Sequence, residues 1–516
     1  MSSSLNPDDE FSSSFDSEFH SQDRQPAGLW VLFITEMWER FSYYGMRALL
    51  VLYLIQSTAP TLENGSENAN PGFGWSEDSA YLLYGVYTWA VYLTPLAGGW
   101  LADRFLGTHR SMLIGGWIIA AGHITLAFTE FFGITAGEAV TLNTSPGALI
   151  CFILGLVLIV IGTGFFKPCV SVMVGQLYGE ADSRRDSGFT IFYMGINLGA
   201  FLAPLVAGSL GESKHWGWHW GFGSAAVGML AGLAFYQLLR PRYLADIGLP
   251  PDAPTANGSD DDADELEETS LTSVDVQRIG VILVLAFLGN IFFWTAFEQA
   301  GSSLNVFAKE KTDRTLGGWM DGNQTGSAAD EPQEGADEGF PASWYQAVNP
   351  LAIILFGPVF AWLWGWLDGR GWNPSTPMKF AWGLYLLGLA FLAMVCAAFQ
   401  TQEGELAGPH WLLITFTVVT WGELCLSPVG LSMITKLAPR RLQSLMMGIW
   451  FFSFSLANLF AGLVAAFSKK LEDGTWTFIY PGLPGFFLML VVVPIAAGVL
   501  LTLLCPILKR MMHGIH

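Results

Sequence analysis

Basic residues are scarce in this chain, and no stretch gathers them. Lys and Arg number 24 against 44 Asp and Glu, giving a formal net charge of −20. Without a basic patch, a nucleic-acid partner is excluded. Charged residues of both signs make up only 13% of the chain, while 52% of it is hydrophobic. That composition excludes a soluble enzyme and points to a polytopic protein in a lipid bilayer. Cysteine is sparse too. Cys151, Cys169, Cys396, Cys425 and Cys505 sit in apolar segments at irregular spacing. They are expected to be small core residues, with neither a disulfide framework nor metal spacing. The spans contain no nucleophile elbow, phosphate loop or metal-ligand cluster, so catalysis, a cofactor and a metal are not expected. The N-terminus is Ser-rich and acidic with no basic n-region, which predicts no cleavable signal peptide.

What is present is apolar sequence in long runs. Twelve spans are expected, at 28–55, 79–102, 111–131, 148–177, 188–210, 217–239, 276–307, 344–367, 378–399, 411–437, 442–467 and 486–508. The fold class is therefore an all-α integral membrane protein. The acid lies largely between and before the spans. Residues 1–27 predict a disordered tail, and residues 240–275, with the block Asp260 to Glu268, predict a solvated linker. The linker divides the chain into two six-helix bundles, 28–239 and 276–508, followed by a tail at 509–516. Arg104, Arg110, Arg184, Arg185, Arg240, Arg242, Arg370, Arg440 and Arg441 fall in loops after even-numbered spans. By the positive-inside rule both termini are cytoplasmic, and a polytopic protein of this kind is expected in the cell's inner (plasma) membrane.

The most costly stretch is in the first span, Thr-Glu-Met-Trp-Glu-Arg-Phe-Ser-Tyr-Tyr-Gly-Met-Arg at 35–47. Each charge at this depth costs about 2.5–3.5 kcal/mol on insertion scales. Helical spacing stacks Glu36, Glu39 and Arg40 on one face, with Tyr43, Tyr44 and Arg47 following one and two turns later. The face is either a self-neutralised ion cluster or a polar pathway for solute and protons. Lys167 in the fourth span precedes Pro168, which predicts a kink beside a buried charge. Asn197 in the fifth span serves as helix glue or as a ligand site. Glu298 in the seventh span and Glu423 in the tenth are lone carboxylates, each needing a partner or a proton. Asn349-Pro350 opens the eighth span. The first half thus carries net positive charge in the membrane and the second net negative charge. A solute with both an ammonium and a carboxylate would fit between them. Tyr44, Tyr87, Trp294 and Trp450 are candidates to line the same cavity.

One string echoes between the halves: Gly99-Trp100-Leu101-Ala102-Asp103-Arg104-Phe105-Leu106-Gly107 after the second span, and Gly365-Trp366-Leu367-Asp368-Gly369-Arg370-Gly371 after the eighth. With six spans on either side of the linker, the echo favours two parallel repeats, as in major facilitator transporters.

Glu36-x-x-Glu39-Arg40-Phe41, the 99–110 loop, residues 162–178, the Phe192-Tyr193-x-x-Ile196-Asn197-x-Gly199 signature, and residues 297–301, 422–431 and 447–450 together resemble the proton-dependent oligopeptide transporter family. This is the peptide-carrying branch of the major facilitator superfamily. The resemblance spans both halves. It implies proton-coupled import of di- and tripeptides by alternating access, in a protein expected to function as a monomer. It assigns proton coupling to Glu36, Glu39, Arg40 and Glu298. Peptide binding falls to Arg40, Tyr44, Arg47, Tyr87, Lys167, Asn197, Trp294, Asn349, Glu423, Ser427 and Trp450. It also implies two gates, Arg47 with Glu298 outside and Lys167 with Glu423 inside. The chain departs from the family's animal members in having no histidine at Tyr84-Gly85-Val86-Tyr87. It departs from many bacterial members in that its linker is too polar to form two extra helices. The alternative reading is a carrier of the same fold for another small solute, such as nitrate, an amine or a drug-like compound.

Overall fold

The computed structural model describes residues 24–58, 70–132, 145–179, 182, 184–250, 271–315, 339–439 and 442–514. The acidic block at 260–268, most of the expected N-terminal tail, and Arg440 and Arg441 lie outside the described residues. The helices are α1 (Ala27–Ile55), α2 (Glu77–Leu101), α3 (Gly107–Ala127), α4 (Pro146–Gln176), α5 (Arg185–Gly211) and α6 (Trp218–Tyr243). Then follow α7 (Ser273–Val284), α8 (Ile291–Phe297), α9 (Ser303–Glu310), α10 (Val348–Asp368), α11 (Thr376–Gln400), α12 (His410–Leu437), α13 (Gln443–Glu472) and α14 (Gly482–Met511).

Among the described residues ten helical runs are long and apolar enough to cross a bilayer. The difference from twelve has two causes. The run Glu77–Ala127 is 51 residues long and carries two of the expected spans, joined by a π-helical turn at Ala102–Leu106. The other cause is α1, which is 29 residues long but whose four ionisable side chains spoil its apolar count. At 1.5 Å per residue it still reaches about 44 Å, enough to cross. One feature of the seventh span was not visible in the sequence. The run Ser273–Glu310 is interrupted by a π-helical turn at Leu285–Asn290 and a 3-10 turn at Glu298–Gly301.

Packing follows small residues. α1 lies against α5 and α6, α3 against α4 and α6, and α11 against α12 and α14. The main helix-to-helix interfaces between the first six helices and the later ones are α2 with α13 and α5 with α10. At the first, Gly85 meets Gly462, and a Cβ built on Gly85 would stand 2.7 Å from the Gly462 Cα. The two backbones touch with no side chain between them. Pro168 does not break α4, which continues from Pro146 to Gln176. Its missing N–H leaves the Gly164 carbonyl without its usual partner. α2 covers that carbonyl with Gly98, where a Cβ would overlap it.

The repeated string ends in the same way in both places. Gly107 has φ 72° and Gly371 φ 69°, a left-handed conformation that glycine adopts without strain. The arginine of each string turns back onto its own tryptophan, Arg104 at 5.9 Å from the Trp100 ring and Arg370 at 3.9 Å from Trp366. All five cysteines are free, and four are buried. Cys396 is not a core residue as expected. It is exposed, on the same outward stripe of α11 as Trp382, Leu389, Leu392 and Phe399. In a membrane that stripe faces lipid, where an uncharged thiol is as well placed as in a core.

Candidate functional site

α5 presents Gly195 and Gly199, one turn apart, to the polar face of α1. A Cβ on Gly199 would stand 3.1 Å from the Arg40 Cβ, and one on Gly195 would meet Phe33. The glycines therefore set how closely the charged face is held. On that face Glu36, Glu39 and Arg40 are all buried. Arg40 Nε lies 2.9 Å from Glu36 Oε1 and 2.5 Å from Glu39 Oε2. Its guanidinium rests 5.7 Å from the centre of the Tyr43 ring, and Nη2 has no hydrogen-bond partner among the described residues. Two carboxylates thus share one guanidinium that is not fully satisfied.

Two turns on, Arg47 forms a buried ion pair with Glu298, at the break between α8 and α9. Arg47 Nε also donates to the Tyr84 hydroxyl at 2.6 Å, and that hydroxyl reaches Glu298 Oε2 at 3.4 Å. Gly301 makes this approach possible, because a Cβ there would collide with the Tyr84 hydroxyl. The group joins α1 and α2 to the Glu298–Gly301 turn.

Other bonds cross between the halves on the same face of the molecule, here called the upper face. Asn305 donates to the Ala48 carbonyl at 2.8 Å, and Lys309 to Gln56 at 2.5 Å. Glu212 accepts from the Ala342 and Ser343 amides at 2.8 and 3.0 Å. Lys469 lies 3.3 Å from Glu77.

Below this layer is a cavity of about 240 Å³. The early helices supply Tyr44, Arg47, Tyr92, Tyr193 and Asn197. The later ones supply Trp294, Glu298, Gln346, Asn349, Glu423, Ser427 and Phe454. Glu423 accepts from Asn349 Nδ2 at 2.9 Å and has no cationic partner among the described residues. Trp294 Nε1, Gln346 Nε2 and Ser427 Oγ are buried with no hydrogen-bond partner among the described residues. Such groups carry a penalty of about 1–3 kcal/mol each until something bonds them.

Lys167 stands behind this wall. Its Nζ lies 3.8 Å from the centre of the Tyr92 ring, which stacks with Phe454 at 6.2 Å between ring centres. It has no acidic partner within 4 Å among the described residues, although Glu36 and Glu39 are within its electrostatic reach. Lys167 and Glu423 are thus not paired here, while Arg47 and Glu298 are.

Of the residues expected at the cavity, Tyr44, Arg47, Asn197, Trp294, Glu298, Asn349, Glu423 and Ser427 line it. Arg40, Glu36, Glu39 and Lys167 do not; they form a layer on α1 and α4 beside it. Tyr87 and Trp450 are placed in the packed core. Tyr87 is buried with its hydroxyl unpartnered, and Trp450 packs on Phe380 and Phe454 over Gly430. Lining residues that the sequence reading missed include Tyr92, Tyr193, Gln346 and Phe454. Three of them stand one turn from an expected residue: Tyr193 before Asn197, Gln346 before Asn349, and Phe454 after Trp450. Helical periodicity applied to the polar anchors would have found them.

The family model described as the POT family matches residues 109–253 and 337–477. The chain is 37% identical to the uncharacterized transporter YclF of Bacillus subtilis (strain 168), over 95% of this chain and 96% of that one. It is 34% identical to the peptide transporter YePEPT of Yersinia enterocolitica subsp. palearctica serotype O:3 (strain YE-P4), over 94% of each. It is 32% identical to the di-/tripeptide transporter of Lactococcus lactis subsp. cremoris, over 94% of this chain and 97% of that one. Among solved structures, it resembles the peptide transporter POT in complex with sulfate, with TM-score 0.75, 32% identity and coverage of 95% and 96%. It also resembles a POT family transporter in complex with 5-aminolevulinic acid, with TM-score 0.75, 28% identity and coverage of 94% and 97%.

Proposed function

The chain belongs to the POT family, and from that premise we propose that it imports di- and tripeptides in symport with protons, by alternating access across the plasma membrane. The carrying observation is the cavity between the halves. Arg47 is on one wall, with Lys167 just behind Tyr92. Glu423 faces in from the other with no cation of its own among the described residues. A peptide zwitterion complements that arrangement: its amino group would go to Glu423, Asn349 and Asn197, and its carboxylate to the basic side. The unpartnered donors Trp294 Nε1 and Gln346 Nε2 suit peptide carbonyls, and the aromatic walls accept varied side chains. Relatives named as di-/tripeptide transporters support the same substrate class.

Proton coupling is assigned to Glu36, Glu39 and Arg40, with Glu298 as the carboxylate that leaves its arginine when protonated. The charge bias of the loops makes the upper face extracellular. The latched Arg47–Glu298 pair and the separated Lys167 and Glu423 then describe a state closed to the outside. The division into two six-helix bundles joined by a cytoplasmic linker, and operation as a monomer, complete the reading.

The test is uptake of labelled dialanine into proteoliposomes under an inward proton gradient. Accumulation that collapses with a protonophore is expected, and rates indifferent to the protonophore would sink the coupling. A second reading, a carrier for another small amino acid-like solute, is favoured by the likeness to the transporter solved with 5-aminolevulinic acid. Failure of unlabelled dipeptides to compete with that solute would favour it.

A further inference from the structure

The transport reading leaves a second cavity without a role. It lies on the lower face, walled by the inner ends of α10, α11, α12 and α14, and measures about 460 Å³ against about 240 Å³ for the central one. Lys379, Lys436 and Lys509 line it, and Asp368 is the acid in its wall among the described residues. Three of the chain's nine lysines therefore converge on one pocket, in a protein of net charge −20. None of the three forms an ion pair among the described residues. Lys379 is held by the Trp364 ring, 4.6 Å from its Nζ, and Asp368 accepts from Asn373 Nδ2 at 3.1 Å.

The start of α11 opens on the same space. Ser375 and Thr376 line the wall, and Ser375 caps none of the first-turn amides through its side chain. Pro377 carries no N–H and the Lys379 amide bonds the Ser375 carbonyl, so the Thr376 and Met378 amides are what this helix start adds to the attraction for an anion. Depth identifies the source of the anion. Trp366 and Trp372, on the end of α10 and the turn after it, are exposed, as tryptophans at headgroup level are. A basic pocket between helices at that level suits a lipid phosphate.

We propose that this pocket is a phosphate site, filled in the membrane by the headgroup of an anionic phospholipid. The three ammonium groups contact the phosphate oxygens as mobile point charges, and the Thr376 and Met378 amides close one side. The site is coupled to the central cavity through α12. That helix turns Glu423 and Ser427 to the central cavity and Pro428, Val429, Met433 and Lys436 to this one. A filled pocket therefore fixes the inner end of the helix that carries Glu423.

The test uses the full chain, purified and delipidated in neutral detergent. Thermal unfolding and native mass spectrometry follow the addition of phosphatidylglycerol, phosphatidylcholine or inorganic phosphate. Phosphatidylglycerol is expected to bind and to raise the unfolding midpoint, where phosphatidylcholine does neither. The double variant Lys436→Gln with Lys509→Gln should lose about thirtyfold in affinity for phosphatidylglycerol, from two lysine attractions near a membrane surface. If the double variant fails to fold, Lys509→Gln alone, at an exposed helix end, should show about fivefold. If inorganic phosphate binds as tightly and needs the same lysines, the phosphate site stands and its source is a soluble compound. Equal affinity of parent and variants for phosphatidylglycerol, or equal binding of phosphatidylcholine, overturns the proposal.

Discussion

Glu298→Gln removes one charge from the latch between the halves and leaves Arg47 in place. The two side chains are only 2% and 5% exposed, so the stranded guanidinium cannot recover its hydration while the upper face stays shut. Breaking a buried pair by removing one partner costs about 3–5 kcal/mol. The Tyr84 hydroxyl still accepts from Arg47 Nε, and the glutamine carbonyl can accept once more, so the lower figure applies. A penalty of about 3 kcal/mol carried only by the closed state shifts the ratio of open to closed upper faces about a hundredfold. The readout is cysteine accessibility on a background freed of the five native cysteines. Leu304→Cys reports from the upper part of the cavity wall, and Leu96→Cys from the lower part of α2, where it stands against Gly448. Glu298→Gln should raise labelling of the first from outside and lower labelling of the second from inside. Glu423→Gln should do the reverse, because it removes the carboxylate that Lys167 would meet when the lower face closes. Unchanged outside labelling in Glu298→Gln, or a shift of both variants in one direction, would refute the two-gate reasoning.

Three further outcomes follow from the same geometry. Glu39→Gln should reduce gradient-driven uptake to the rate seen without a gradient, yet leave peptide counterflow measurable in preloaded liposomes. N-acetyl and amidated dipeptides should compete for uptake far less well than free dipeptides with altered side chains, and equal competition would count against recognition through the termini. Gly301→Ala should push Tyr84 off the Arg47–Glu298 pair, lowering stability by about 1–3 kcal/mol in a thermal unfolding assay and opening the upper face in the cysteine assay; a silent variant would remove Tyr84 from the latch.

Apolar run length located the spans well. α1 was expected at 28–55 and is found at Ala27–Ile55, and α12, expected at 411–437, is found at His410–Leu437. A membrane imposes one long, simple period, and hydropathy reads it directly. The breaks in the seventh span were not legible, because a π-helical or 3-10 turn changes hydrogen bonding without changing composition. At the site, intramembrane charge flagged Glu36, Glu39, Arg40, Arg47, Lys167, Glu298 and Glu423, since each is costly wherever it points. Neutral residues gave no such signal. Tyr84 was given no role from the sequence, yet it touches both partners of the Arg47–Glu298 pair. Tyr87, one turn on, was expected to line the cavity and is instead packed in the core, with no partner for its hydroxyl among the described residues. Only the azimuth of α2 separates them, and that is fixed by tertiary contacts such as Gly85 on Gly462.

That glycine contact also has a mechanical meaning. Where two helices cross backbone to backbone, no side chains need to change rotamer for one to tilt on the other, so the crossing behaves as a fulcrum. It is not at the middle of α2. From Gly85 the helix runs about 12 Å up to Glu77 and about 24 Å down to Leu101. A tilt of about 10° would then move the upper end by about 2 Å and the lower end by about 4 Å. The short arm ends at Glu77, 3.3 Å from Lys469 of α13, where 2 Å is enough to break the contact, while Tyr84 of the latch sits beside the fulcrum and scarcely moves. The long arm carries the lower mouth, where the same stroke is doubled into clearance for a passing solute.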